Sequence, residues 1–208
     1  MRYCMNLFDY AVEFHSLIER KGPGSREETL RALRSVPDVK NIFNILVIGC
    51  ATGEEAFILA QNTDANIVAI DIIPAFLDEL REKADKNGLA NRISARLQSM
   101  DNLDYLPNKF DLVWVENSIS HIGFERGLKE WHKYIKSGGH IVLSDICWLT
   151  DERDGQIKDF CEKFSKDIDT VISKRSLLGK YGIELEIDMY MKYKSYYGAA
   201  FFIAKVIK

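Results

Sequence analysis

Two hydrophobic periods divide the chain, and the change between them separates an N-terminal helical stretch from an α/β region. From Asn6 to Glu19 the apolar residues Leu7, Tyr10, Ala11, Phe14, Leu17 and Ile18 recur every three or four positions, the period of an amphipathic helix. Gly22-Pro23-Gly24 ends it. Ser25-Arg26-Glu27-Glu28 is a capping-box sequence that starts a second short helix through Leu30 and Leu33, stopped by Pro37. After Asn44 the pattern becomes short apolar runs: Ile45 to Ile48, Ile67 to Ile70, Ile93 to Leu97, Leu112 to Val115 and Ile141 to Leu143. They are too continuously apolar to be half-exposed strands.

Between those runs lie helical segments, Glu54 to Gln61, Pro74 to Asn87 with Gly88 as its stop, and Gly127 to Ile135 ahead of Gly138-Gly139. Such alternation predicts a parallel sheet covered on both faces. Beyond Thr150, charged helical sequence runs to about Gly179. Ile183, Leu185, Ile187, Met189 and Met191 then alternate with Glu184, Glu186, Asp188 and Tyr190, a strand period, and the apolar run Ala199 to Val206 lies within a hairpin's reach. A helix over 183–197 is the rival reading, since Ile187, Tyr190 and Met191 also fit helical spacing. The expected fold is α/β, a seven-stranded, mostly parallel sheet with an antiparallel last strand and helices on both faces. Residues 1–40 are expected to form a helical cap over the site, and 41–208 the main domain.

Composition narrows the function. The 208 residues carry a net charge of −3, which supplies no general attraction for nucleic-acid phosphates. No apolar run approaches the ~20 residues needed to span a bilayer, and Asn6, Asp9 and Glu13 interrupt any signal-peptide core. A cytoplasmic protein is expected. Cys4, Cys50, Cys147 and Cys161 show neither CxxC spacing nor zinc-site histidines, so they read as reduced thiols, with no metal.

The first apolar run leads into Ile48-Gly49-Cys50-Ala51-Thr52-Gly53-Glu54, a small-residue loop opening a helix, where backbone can approach a ligand closely. The second run ends in Asp71, 22 residues beyond Gly49, a spacing that suits a carboxylate gripping ribose hydroxyls. With Ser99-Met100-Asp101, Phe110-Asp111-Leu112-Val113 and Lys136-Ser137-Gly138-Gly139 in that order, residues 40 to 148 resemble the class I S-adenosylmethionine-dependent methyltransferases, whose fold is Rossmann-like. Glu19-Arg20, Gly22-Pro23-Gly24-Ser25 and Ile122-Gly123-Phe124-Glu125-Arg126-Gly127 are similar to a small-molecule subgroup of ubiquinone/menaquinone type.

The resemblance implies S-adenosylmethionine as cofactor. It implies that Gly49, Cys50, Ala51 and Gly53 wrap its methionine part and Asp71 its ribose. Ser99, Met100 and Asp101 would close over adenine, and Glu116-Asn117-Ser118 would lie beside the cofactor, facing the acceptor. Gly138 and Gly139 read as a structural turn. Two positions depart from the family pattern. Val47 stands where an acid is usual, and Ala51 and Glu54 replace loop glycines; a left-handed Ala51 would cost ~1 to 2 kcal/mol.

An NAD-dependent oxidoreductase shares the strand, loop, helix and distal acid, but Ala51 and Glu54 break the GxGxxG pattern, and the Tyr190/Lys194 pair falls in the terminal hairpin. A noncatalytic S-adenosylmethionine-binding module is the other alternative, motivated by Val47 and Ala51. For catalysis, positioning of a small soluble acceptor supplies most of the effect. His121 is the candidate base, Glu116 a candidate catalytic or cofactor contact. Asp145, Trp148, Tyr10 and Phe14, with His121, are candidates for the acceptor pocket. His15 and Arg20 read as surface groups. Any lid built from 151–179 must be small.

Overall fold

The computed structural model describes residues 24–150, 155–164, 167–192 and 197–207. The helix expected over Asn6–Glu19, with Tyr10, Phe14, His15 and Arg20, lies outside the described residues, as does Cys4.

Helix α1 (Arg26–Arg34) starts where the capping box predicts: the Ser25 hydroxyl accepts the Glu28 N–H at 3.3 Å. Its Ala32 and Leu33 are buried in the same core as the sheet residues Ile45 and Val47. Strands and helices then alternate: β1 (Asn44–Ile48), α2 (Glu54–Asn62), β2 (Asn66–Asp71), α3 (Pro74–Lys86), β3 (Ile93–Leu97), β4 (Phe110–Glu116), α4 (Phe124–Trp131) and β5 (Ile135–Trp148). After β5 come α5 (Gly155–Phe164), β6 (Asp169–Thr170), α6 (Val171–Lys180), β7 (Ile183–Lys192) and β8 (Tyr197–Val206).

The sheet runs β3-β2-β1-β4-β5-β8-β7. Strands β1 to β5 are parallel, and β8 is antiparallel to both β5 and β7. The last strand is antiparallel as expected. An eighth, two-residue strand, β6, adds to the seven by pairing with Cys147 and Trp148 at the end of β5. Residues 183–192 are strand, so the rival helix is set aside; their pairing with β8 shifts register between Leu185 and Ile187.

Alternate residues feed two cores. Ile45, Val47, Ile67 and Trp114 face Leu59 of α2 and Leu77 and Leu80 of α3, whereas Leu46, Ile48, Val113 and Val115 face Phe124, Leu128 and Trp131 of α4 and Leu178 of α6. Strands β1, β2, β4 and β5 are therefore apolar on both sides, which is why their runs read as continuous; β3, expected to be covered on both faces, is instead an edge strand with Ser94, Arg96 and Leu97 exposed.

Two boundaries differ from expectation. Helix α4 starts at Phe124 rather than Gly127 and ends at Trp131, with a 3-10 turn over His132–Tyr134. Gly127 is not a starting residue but a contact: a Cβ there would come within 3.0 Å of the Ile119 and Trp131 side chains. Strand β5 begins at Ile135, not Ile141. Between the pairs Phe110–Ile135 and Leu112–His140 the register shifts, so Lys136 to Gly139 bulge out opposite Asp111. Asp111 clasps this end of the sheet, accepting the Phe43 and Asn44 N–H groups at 3.1 and 2.9 Å and the Lys136 ammonium at 2.6 Å.

Candidate functional site

Because β1 to β4 run parallel, the turns that follow them gather along one edge of the sheet. The first is the Gly49–Gly53 loop. Gly49 has φ +69°, and a Cβ there would lie 2.6 Å from the Ser118 hydroxyl, so only glycine lets the loop approach the end of β4. Ser118 in turn donates to the Ile48 carbonyl at 3.1 Å. Cys50 is buried, and burial, followed by the charges of Asp71 and Glu55, pushes its thiol well above the ordinary range. Ala51 adopts φ +43°, the disfavoured left-handed conformation.

Asp71, the last residue of β2, points both carboxylate oxygens at backbone amides. Oδ2 accepts the Ala51 N–H at 2.8 Å and Oδ1 the Ile73 N–H at 3.0 Å. Each oxygen retains a lone pair for a further donor. Ile72 beside it is 53% exposed, an apolar side chain left open at the rim.

The segment after β3 is fastened from two sides. Gln98 N–H donates to the Asp71 carbonyl at 3.0 Å, and the Trp131 indole N–H donates to the Met100 carbonyl at 2.8 Å. The Ser99 hydroxyl reaches Asp101 at 2.6 Å, and Arg126 lies 3.6 Å from the same carboxylate. The Ser99 hydrogen bond, with Arg126 adding to it, holds the exposed Asp101 carboxyl below its usual range.

At the end of β4 the expected residues diverge. Asn117 takes φ +55° and its N–H donates to Ser144, to the carbonyl at 3.1 Å and the hydroxyl at 3.0 Å. His121, closing a 3-10 turn over Ile119–His121, is exposed. Glu116 is buried between α1 and the sheet. It is 7% exposed, and its Oε1 accepts the Thr29 hydroxyl at 2.9 Å and the Trp114 indole at 2.8 Å, binding α1 to the sheet.

Asp145 and Trp148, expected in an acceptor pocket, are buried in β5. Asp145 is 2% exposed and pairs with the equally buried Lys174 of α6, whose ammonium also donates to the Ile146 carbonyl at 3.1 Å. Burial raises the Asp145 carboxyl, with Lys174 working against it. Asp145 therefore has no open face for an acceptor. Trp148 is 3% exposed. Val47 is a core residue of β1. Among the described residues no cluster could hold a metal ion, and no helix is long and apolar enough to cross a membrane.

Sequence reasoning did not find Trp131, Arg126, Thr29 or Lys174. Trp131 sits on α4, where only the helical period was visible; Arg126 entered only as part of the Ile122–Gly127 segment, with no role of its own; and nothing in Lys174 or Thr29 marks the partner that topology brings to it.

Residues 40–194 match the family model for a methyltransferase domain. The chain belongs to that family. It is 25% identical over 153 residues, 71% of this chain, to the methyltransferase GfsG of Streptomyces halstedii. It is 27% identical over 104 residues, 49% of this chain, to demethylmenaquinone methyltransferase of Bacteroides fragilis. The chain spans about half the length of these relatives, 55% and 42%. Among solved structures, phosphoethanolamine N-methyltransferase 2 of Haemonchus contortus, in complex with S-adenosyl-L-methionine, superposes with a TM-score of 0.80 over 100% of this chain and 59% of its own, at 15% identity. The likeness to that structure is one of fold.

Proposed function

We propose that the protein transfers a methyl group from S-adenosylmethionine to a small-molecule acceptor. One observation carries the reading: the Gly49–Gly53 turn, the Asp71 carboxylate, the Met100 loop and the Asn117–Ser118 turn meet at one sheet edge, tied by the Asp71–Ala51 and Ser118–Ile48 hydrogen bonds. The residues fit the cofactor. A loop in which a side chain at 49 would collide with Ser118 leaves backbone to meet an extended ligand, and Asp71 keeps lone pairs for a diol.

When bound, the cofactor supplies an electrophilic sulfonium methyl, so the chain's own residues have to position the acceptor and, for a hydroxyl or carbon acid, remove its proton. His121 is assigned that proton. Its imidazole is exposed on the turn after β4. Glu116 is assigned a supporting role, since its Oε1 is engaged by Thr29 and Trp114. The acceptor pocket is assigned to His121 with the N-terminal segment, including Tyr10 and Phe14. A small-molecule acceptor is supported by sequence relatives named for demethylmenaquinone and phosphoethanolamine.

Titration calorimetry with S-adenosylmethionine, S-adenosylhomocysteine and NAD tests the reading, followed by a screen of small acceptors for S-adenosylhomocysteine production. Binding of the first two and not of NAD is expected. NAD binding would turn the assignment to an oxidoreductase. Tight S-adenosylhomocysteine binding without turnover on any acceptor would favour a noncatalytic module, the reading that Val47 and Ala51 favour.

A further inference from the structure

Ala51 is held left-handed between two glycines that also take positive φ, Gly49 at +69° and Gly53 at +87°. A Cβ makes this conformation unfavourable, and alanine has no side-chain group that could stabilise it locally, as asparagine or aspartate does. The groups that fix it come from elsewhere in the chain. Cys50 N–H donates to the Ile70 carbonyl at 2.9 Å, and Gly53 N–H to the Cys50 carbonyl at 2.8 Å, which pins the two flanks. The Ala51 amide itself is held by Asp71 Oδ2 at 2.8 Å, a charge-assisted bond. The other oxygen of that carboxylate is fixed by Ile73 N–H at 3.0 Å, so Asp71 cannot swing away without losing both bonds.

We infer that Asp71 is the positioning residue that clamps Ala51 in its left-handed turn, so that it acts on cofactor binding through the loop as well as by contact. The inference rests on the cofactor reading above. It has a thermodynamic signature that a contact alone lacks. With the clamp present, the strain of Ala51 is met during folding. Without it the turn relaxes, and the strain has to be met again when the cofactor binds.

Removing the clamp therefore weakens binding more when residue 51 is alanine than when it is glycine. It destabilises the free protein less with alanine than with glycine, because relaxation then relieves strain. A merely structural role for Asp71 produces no such reversal.

The experiment is a cycle of four proteins: wild type, Ala51→Gly, Asp71→Ser, and the double variant. Serine keeps a short acceptor for the Ile73 N–H but lacks the reach to Ala51. Asp71→Ala repeats the cycle without the hydroxyl, and the serine series stands alone should the alanine variant not fold. Affinity for S-adenosylhomocysteine is measured by calorimetry, and thermal unfolding is followed without ligand. The fold-loss in affinity caused by Asp71→Ser should be about five- to thirtyfold larger in the Ala51 background, the equilibrium factor of the left-handed penalty. The drop in melting temperature should be smaller in that background. Equal effects in the two backgrounds overturn the clamp. If none of the four proteins binds, the cofactor reading falls, and the melting temperatures alone decide: unequal drops uphold the clamp, equal drops overturn it.

Discussion

Asp71 and Asp145 both stand toward the carboxyl ends of parallel strands, yet their surroundings differ in kind. Asp71 is half-buried and, among the described residues, its carboxylate is held by the backbone amides of Ala51 and Ile73. Asp145 is sealed against Lys174, which also lies 5.2 Å from the Phe124 ring centroid. Backbone donors fix a carboxylate while leaving its charge and spare lone pairs for a ligand. A buried ammonium fixes it by neutralising it. The same residue type thus holds a loop through backbone amides in one half of the sheet and forms an internal fastening in the other, where it holds α6 onto β5.

This division predicts effects that do not cross over. On the open side, His121→Ala should lower turnover by ~10²- to 10⁴-fold with cofactor affinity retained, if His121 takes the acceptor's proton. Steady-state rates at saturating cofactor check it, once an acceptor is known; a normal rate leaves positioning as the mechanism. The melting temperature should hold, since His121 is exposed.

On the sealed side, Lys174→Met should cost about 3 to 5 kcal/mol of folding stability, because it leaves Asp145 buried without its partner. Urea unfolding reads this directly. Replacing Asp145 by leucine in the same protein should recover most of the loss, since no lone charge then remains. A single variant as stable as wild type would show that the pair does not fasten α6.

The smallest effect concerns the opposite edge of the sheet. Burial works against the charged form of Asp111, but the hydrogen bonds from Lys136, Asn44 and Phe43 outweigh it and hold its carboxyl below the usual range. Its folded value lies below its unfolded one. The stabilisation is therefore complete above the unfolded carboxylate range near pH 4 and fades as pH falls through the lower folded value. Melting temperatures between pH 6 and 3 should show Asp111→Asn losing less stability on acidification than wild type, a difference on the order of 1 kcal/mol. Parallel curves would dismiss Asp111 as a source of acid sensitivity.

What the sequence made legible follows from which interactions are local. The parallel strands announced themselves because Ile45–Ile48 and Ile67–Ile70 are apolar on both faces, and α1 because Ser25 and Glu28 lie within one turn. The loop and Asp71 were legible because glycine turns and strand-end acids recur at fixed spacing. The start of α4 was missed because Gly127 looks like a boundary and is a packing contact with Ile119, a residue eight positions earlier. The pairing of Asp145 was hidden for a similar reason. Its partner Lys174 lies 29 residues further on, and no period or motif ties the two.

Strand β8 follows β7 in the chain but lies between β5 and β7 in the sheet, with nine residues of β5 paired to it from His140 to Trp148. Until β8 arrives, β5 carries a long open edge of free amides and carbonyls, flanked by the apolar faces of Ile141 to Leu143. Such an edge is a template for pairing with any other extended chain. The order of assembly is therefore constrained: the β1–β5 half can form from contacts already made, whereas β7 has no seat in the sheet before β8 supplies one. While β8 is out of the sheet, that edge of β5 is a site for aggregation.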